Sequence, residues 1–565
     1  MTRISKALLL LPLILNVVAC GNSDTPEQNK QVEASATITA PKTAEEGSVV
    51  IFSVASEQPY DVSVSGVNNF ESLGDDKFRF ISKNVQKEVQ EAEISVTSGG
   101  KEFHHTIDIE PMPIPLFAEL PRGYPLESGN ISKHARHARD DNGVTLLEYN
   151  GELYYYHVQI SKVAQVYYHY IKANDLPVEE TEDFLAMARW LRDNCEYTEL
   201  GFCSWRADVD LSYYKVPTSW TSAMAQGQAI TVLLGAYAIT NDDSYYHVLS
   251  DALAAFNYSV EEKGVTADFA GVPFYQEYGS EEAPANVLNG FLFSLAGLYD
   301  IADLTGSQTA RQAFEVGVDS LEAVIEEYDM GFTSRYDYSH LNQISSAMGG
   351  GDSDGYHEIH ISQLAWLYTV SEAPYALEYL KKFLKYDTNG IKSLPQLKDS
   401  SRKIVEVEAS SSIAPSTHGP EYIWDSNWTW KRYWSSNKAV TNLRLKLNNG
   451  SANMPIELGG FRLTSVNEET VPKSIAVYDC VGSDRKLILD NLMTESLVTE
   501  YAHNVNGYTS LTLVFEFDAI ELECSDIELD FTIGEAGYFT VRELSPYIEQ
   551  PEIVDALLGF FDELK

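Results

Sequence analysis

Thr309–Tyr328 reads T-A-R-Q-A-F-E-V-G-V-D-S-L-E-A-V-I-E-E-Y, and its apolar residues Phe314, Val318, Leu321 and Ile325 recur at spacings of four, three and four. That period puts them on one face of a helix, with Glu and Asp on the other. The same period governs the text on both sides. Ile160, Val163, Tyr167 and Tyr170 share a face, as do Phe184, Met187 and Leu191. Helical patterns also run over Ser222–Ile239, Tyr246–Val260, Asn286–Leu304, His360–Val370 and Ala376–Tyr386. Successive helix pairs without strands between them predict an all-α (α/α) toroid over residues 113–390, whose loops at one rim build a cleft.

Either side of this block the period shortens to two. Ala36–Thr39, Ser48–Val54 and Glu93–Thr97 alternate and are split by Gly, Asn and Asp turns, so residues 35–112 predict an immunoglobulin-like β-sandwich. Pro111, Pro113 and Pro115 mark its end. A polar stretch makes 391–416 a linker. Leu443–Leu447, Ser474–Tyr478 and Leu511–Phe515 alternate again, and 417–548 resembles the β jelly-roll, galactose-binding-like modules of carbohydrate enzymes. Residues 549–565 read as a C-terminal helix. Trp424, Trp428, Trp430, Tyr433 and Trp434 form an aromatic cluster that either stacks on sugar rings or fills the core.

At the N-terminus, Arg3 and Lys6 precede an apolar run, Ala7–Leu15, that is too short to span a bilayer, and the run closes on Val17-Val18-Ala19-Cys20. Residues 1–20 therefore read as a lipoprotein signal peptide, with Cys20 lipidated after cleavage and 21–34 a flexible tether. The expected location is the outer membrane, at its periplasmic face or on the cell surface. Export lets the other four cysteines pair, Cys195 with Cys203 and Cys480 with Cys524.

The chain has 565 residues, 44% of them hydrophobic, with 34 tyrosines and a formal net charge of −43. This is enough apolar material for several cores. Nucleic acid and anionic lipid surfaces are excluded as partners by repulsion. A polyanionic glycan is repelled as well unless a basic cleft or high salt intervenes.

Five clusters fall in loops or at helix starts of the helical block: Tyr154–Ile160 (Y-Y-Y-H-V-Q-I), Ser222–Ile230 (S-A-M-A-Q-G-Q-A-I), Tyr275–Tyr278 followed by Asn286–Phe291 (Y-Q-E-Y, then N-V-L-N-G-F), Tyr328–His340 and Tyr356–Leu364 (Y-H-E-I-H-I-S-Q-L). In order and spacing they resemble the D-glucuronyl C5-epimerases over about Ile131–Lys385. The resemblance implies inversion of uronic acids inside a polysaccharide, with heparosan or its N-sulfated form as substrate; no cofactor is expected, no Cys/His metal spacing appears, and divalent metal stimulation and homodimer formation stay open. It places the catalytic residues on Glu277, Tyr278, Tyr336 and Tyr356. Tyr156, Gln159, Gln226, Gln228, Asn289, His357 and His360 fall in the same motifs and become candidate substrate-binding residues.

Such a reaction needs one group on each face of C5, plus donors for the charge that gathers on the carboxylate. Glu277 is assigned as the base and Tyr356 as the opposite-face acid, with Tyr278 and Tyr336 polarising the carboxylate. Where the family carries Arg in its Y-D-x-R-H motif, this chain has Ser339, and Arg335 is the expected substitute cation. His357 and His360 are spaced by three, not the four of a zincin helix, so a metal pair is not expected. A polysaccharide lyase shares the first step of this chemistry, and a non-catalytic glycan-binding lipoprotein shares the anchor and the β-domains.

Overall fold

In the computed structural model the described residues are 35–563, without 84–87, 115–130, 132–134, 178–179, 217, 346–354, 388–389, 392–393, 395, 426–431, 452–453, 495–496 and 506–507. Cys20, the signal peptide and the tether lie outside them, as do Trp428 and Trp430.

Eight strands build the N-terminal unit: β1 (Ala36–Thr39), β2 (Thr43–Glu45), β3 (Val49–Ser56), β4 (Tyr60–Ser65), β5 (Phe70–Gly74), β6 (Lys77–Ile81), β7 (Gln90–Ser98) and β8 (Lys101–Glu110). They form two four-stranded sheets, β1-β3-β6-β5 and β2-β8-β7-β4. Alternation sends Val50, Phe52 and Val54 of β3 and Ala92, Ile94 and Val96 of β7 into a shared core.

Among the described residues eight helices follow as four hairpins: α1 (His157–Ala173) with α2 (Glu182–Asp193), α3 (Ala223–Thr240) with α4 (Asp243–Leu253), α5 (Leu288–Thr305) with α6 (Gln308–Val324), and α7 (Tyr356–Ser371) with α8 (Pro374–Tyr386). The odd-numbered helices form the inner layer. Their text explains why: A-M-A-Q-G-Q-A-I-T-V-L-L-G in α3 and L-N-G-F-L-F-S-L-A-G-L in α5 are buried along these runs with few exceptions, whereas α2, α6 and α8 keep one charged face. Small residues bring α3 and α5 together. A Cβ on Gly227 would lie 2.9 Å from the Ser294 backbone, and one on Gly297 would lie 2.1 Å from the Gly227 carbonyl oxygen. The helix expected over Tyr246–Val260 stops at Leu253, where one turn of 3-10 helix, Ala254–Asn257, leads into a hairpin of β9 (Thr266–Phe269) and β10 (Val272–Tyr275).

The C-terminal unit is a sandwich of two antiparallel sheets. One has the order β11 (Ile404–Ala409), β12 (Val440–Leu447), β18 (Asp526–Thr532), β14 (Ser474–Asp479), β15 (Lys486–Leu489). The other runs β16 (Val498–Val505), β17 (Tyr508–Glu521), β13 (Glu457–Ser465), β19 (Glu543–Ile548). This unit starts earlier than 417. Ile404–Ala409, inside the segment expected as linker, pairs with β12, so the boundary moves back to about residue 404. Trp434 is fully buried between Phe531 and Phe539, with its indole N–H near the carbonyl of Ser411, and belongs to the core, not to a sugar platform. Trp424 is half-buried beneath Arg402.

The three units are docked, not strung. From the N-terminal sandwich, Glu45 accepts from the Gln308 and Thr309 amides at the start of α6, and Glu46 from the Tyr246 hydroxyl. At the other end α9 (Pro551–Asp562) packs on α7, and its Ile553, Leu557 and Phe561 join the helical core along with Tyr547 and Val514 of the C-terminal sheet. Cys195–Cys203 and Cys480–Cys524 are disulfide-bonded, with Cα atoms 5.5 and 5.2 Å apart. Beside the second, Asp479 accepts from the Glu523 and Cys524 amides. Among the described residues no helix is long and apolar enough to cross a membrane.

Candidate active site

Alternation of inner and outer helices makes α1, α3, α5 and α7 parallel, so their N-termini share one rim. Three backbone features tie that rim together. Tyr156 is the N-cap of α1, Ala223 N at the start of α3 donates to Gln276 O at 2.7 Å, and Leu288 N at the start of α5 donates to Tyr336 O at 3.1 Å. Tyr356 opens α7 after Gly355, whose φ of +59° turns the chain into the helix. Each N-terminus presents the positive end of its peptide dipoles to the same space.

Glu277 and Tyr278 follow β10 and are braced from behind. Gln276 Nε2 donates to Asn286 Oδ1 at 2.7 Å, and the Asn286 amide donates back to Gln276 Oε1 at 3.2 Å. Tyr336 lies in the turn-rich segment 328–345. Its amide donates to Gln343 O at 2.9 Å, and that of Arg335 to Tyr328 O at 2.8 Å. The hydroxyls of Tyr278 and Tyr336 are 3.0 Å apart, and the rings of Tyr336 and Tyr356 have centroids 4.6 Å apart. Tyr214 and Trp220 pack on the ring of Tyr278 at 5.0 and 5.6 Å, and Tyr156 on Trp220 at 6.1 Å. The four candidates for catalysis thus meet in one aromatic enclosure.

Its electrostatics follow from burial. Burial pushes the Glu277 carboxyl up to about 7, against the pull of the Tyr278 hydroxyl and the Lys162 charge, while Asp337 pushes it further up. Burial, then the Glu277 charge, raises Tyr278 and Tyr336 well above the ordinary phenol value. Tyr356 is raised for the same two reasons, with Lys162 and a hydrogen bond from Tyr336 opposing. A line of protonatable groups therefore runs Glu277, Tyr278, Tyr336, Tyr356. Glu277 Oε2 is buried with no hydrogen-bond partner among the described residues, and Gly290 makes room for it: a Cβ there would lie 2.2 Å from that oxygen.

The binding candidates divide. Tyr156 faces the enclosure, its phenol held well above the ordinary value by burial and then by Glu277. Gln228 and Asn289 are buried, on α3 and α5, with side-chain polar atoms that have no partner among the described residues. Gln226 does not join them, because its Nε2 donates to Cys203 O and Ala252 O at 3.0 and 2.8 Å, on the far side of α3. Gln159 Nε2 donates to Thr145 Oγ1 and Leu146 O and holds the strand before α1.

His357 and His360 are fully buried and serve the loop that carries Tyr336. His357 Nδ1 accepts from the Ser334 amide at 3.0 Å, which leaves its Nε2–H to donate to Phe383 O at 3.0 Å. The Ser334 hydroxyl is 2.8 Å from the Nδ1 atoms of both imidazoles. Burial, then His357, holds His360 well below the usual imidazole range, so it stays neutral.

Arg335 is turned away. The alternation that sends Ser334 and Tyr336 inward sends Arg335 outward, where Nε donates to Glu327 O at 2.9 Å and the guanidinium covers Tyr338. The structure brings in Tyr214, Trp220 and Lys162 instead, none of which the sequence reading singled out. Lys162 stands six residues after Tyr156 and three before Gln165, a cation at helical spacing from a motif residue, and that spacing is its available signal. Tyr214 donates to Asp337 Oδ2 at 2.7 Å, which fixes both beside Tyr336. A separate cavity of about 1070 Å³, lined by Tyr154, Tyr155, Trp190, Arg206 and several carboxylates, has none of the four catalytic candidates in its wall.

Residues 199–385 match the family described as D-glucuronyl C5-epimerase C-terminus. A D-glucuronyl C5-epimerase of Caenorhabditis elegans is 33% identical over 205 residues, which are 34% of this chain and 32% of the worm protein. The chain therefore spans about a third of that relative's length. An uncharacterised protein of Methanocaldococcus jannaschii is 28% identical over 232 residues, 38% of this chain and 72% of its own. Among solved structures, a family 76 glycoside hydrolase from a bovine Bacteroides thetaiotaomicron strain aligns at 9% identity over 62% of this chain and 77% of its own, with a TM-score of 0.32.

Proposed function

We propose that this protein, whose residues 199–385 match the family described as D-glucuronyl C5-epimerase C-terminus, inverts C5 of D-glucuronate residues within a heparosan-like polysaccharide, giving L-iduronate. The observation that carries the reading is the line of four groups. A carboxyl that burial pushes up to about 7 stands at one end, a less strongly perturbed tyrosine at the other, and two hydroxyls 3.0 Å apart lie between.

Glu277 takes the C5 proton. The electron pair of the broken C–H bond moves into the uronate carboxylate, where the Tyr278 and Tyr336 hydroxyls and the helix N-termini stabilise the added charge. Tyr356 then gives its hydroxyl proton to the opposite face of C5. The products are the epimer, a neutral Glu277 and a Tyr356 phenolate. Proton movement from Glu277 through Tyr278 and Tyr336 to Tyr356 restores the starting state, and these groups exchange their protons with solvent between turnovers. The reverse reaction uses the same groups with exchanged roles.

Heparosan in deuterium oxide is the test. Deuterium at C5 in chains of unchanged length supports the proposal, and shorter chains ending in an unsaturated uronate assign a lyase. A polymer that is bound but chemically unchanged assigns a glycan-binding protein.

Export and anchoring through Cys20 belong to the same proposal, and two disulfides fit an oxidising compartment. Membrane association that survives Cys20→Ser would exclude the anchor.

A further inference from the structure

A uronate carboxylate needs a cation, and the two obvious ones are missing from the enclosure. Ser339 stands where an arginine was expected and bonds Asp337 instead, while Arg335 points out of the site. Arg206 is engaged by Ser219, through its side chain at 3.0 Å and its carbonyl.

Lys162 is placed differently. It lies on α1 three residues before Gln165 and shares its face. That face looks inward, because Gln165 is buried and its Nε2 donates to Gln228 O on α3 at 3.4 Å. Lys162 therefore sits one turn nearer the rim, where Tyr156, Glu277 and Tyr356 gather. It is half-buried. Its charge bears on both Glu277 and Tyr356, the two ends of the line. The N-termini of four parallel helices add positive potential in the same space.

We propose that Lys162 receives the carboxylate of the uronic acid being epimerised and is the residue that selects uronates over neutral hexoses. The inference rests on the proposed function for the identity of the sugar. An ammonium there performs two tasks. It orients the sugar so that C5 lies between Glu277 and Tyr356, and it holds the charge that enters the carboxylate when the proton leaves. Lysine suits this as a point charge that follows the carboxylate through rehybridisation at C5, whereas a guanidinium fork fixes one plane.

The test compares a uronate oligosaccharide of the heparosan type with its carboxyl-reduced counterpart, in which each carboxylate is a primary alcohol. Titration calorimetry on the wild-type protein should show binding of the uronate about 10- to 100-fold tighter than of the alcohol, the range of a hydrogen bond to a charged group. Lys162→Gln should remove that preference by weakening only the uronate, and Lys162→Arg should keep part of it. If circular dichroism shows that the Gln variant is unfolded, Lys162→Met, matched in length, answers the same question. A folded Gln or Met variant that keeps the full preference overturns the inference, and so does wild-type protein that binds both oligosaccharides equally. Deuterium uptake at C5 separates the two claims. Its absence in wild type with every uronate polymer removes the epimerase reading, while the carboxylate preference still decides the role of Lys162.

Discussion

The guanidinium of Arg462, fully buried in β13 of the C-terminal sheet, donates to the carbonyl oxygen of Phe332, 2.9 Å away in the loop that carries Tyr336. Phe332 is also held between the rings of Tyr501 and His503, at 5.2 and 5.3 Å, and a Cβ on Gly331 would lie 2.3 Å from the Tyr501 hydroxyl. The C-terminal unit thus sets the position of a catalytic candidate. Arg462→Met should lower kcat by about tenfold or more, the scale of one lost hydrogen bond to a charged group. KM on short oligosaccharides should change much less. An unchanged kcat in a folded variant would show that the loop holds its shape without this support.

Tyr336→Phe and Tyr356→Phe keep the packed rings and remove one hydroxyl each. Steady-state rates should fall by about 10² to 10⁴ if these groups transfer or relay protons. Wild-type rates in either variant would remove that residue from the line.

The proposed role of Glu277 as base predicts a pH dependence. As a base it must be ionised, and burial raises its carboxyl to about 7, so kcat/KM should rise with pH through that value and not through the ordinary carboxylate range. Glu277→Gln should abolish exchange at C5 at every pH. A profile already flat at pH 5 would contradict the assignment.

Gly290→Ala tests the same carboxylate from the other side. The added methyl would lie 2.2 Å from Glu277 Oε2 and 2.5 Å from its Cβ, so the side chain must shift. Activity should fall by at least about tenfold, since misplacement of a catalytic group on this scale costs up to about 10². Thermal melting will separate that loss from unfolding.

Glu46 should make docking of the N-terminal sandwich sensitive to pH. Burial raises its carboxyl to about 7, with Asp251 raising it further and hydrogen bonds from Tyr246 and Ser250 and the Lys83 charge acting the other way. An acid whose folded pKa is raised contributes stability that is full below its unfolded value near 4.5 and is lost as pH rises through 7. The loss should be on the order of 1–3 kcal/mol between pH 5 and pH 8, read from denaturation midpoints. Glu46→Gln should flatten that dependence.

Sequence alone exposes the helical block and both sandwiches, because side-chain period follows from backbone geometry and survives without tertiary information. Ile404–Ala409 escapes it, since I-V-E-V-E-A alternates with glutamates and stands next to serine-rich text, and only pairing with β12 makes it a strand. The four catalytic candidates are legible through their motifs. Arg335 and Lys162 are not, because which of two cations enters a cleft depends on the face each backbone element turns inward. His357 and His360 look like ligands in a string of letters. Their spacing of three serves instead to set both imidazoles over one hydroxyl, that of Ser334.

The contact of Gly227 with Ser294 and Gly297 gives Ser222–Ile230 a meaning apart from chemistry. Bulk cannot be added at that crossing without driving α3 and α5 apart, so Gly227 in the string sets a distance between two helices, a task separate from anything Gln228 binds. A chain that keeps these letters inherits the scaffold. The groups at the rim stand apart from it, so an exchange at Lys162, Glu277, Tyr336 or Tyr356, on which the proposed chemistry rests, leaves the crossing untouched.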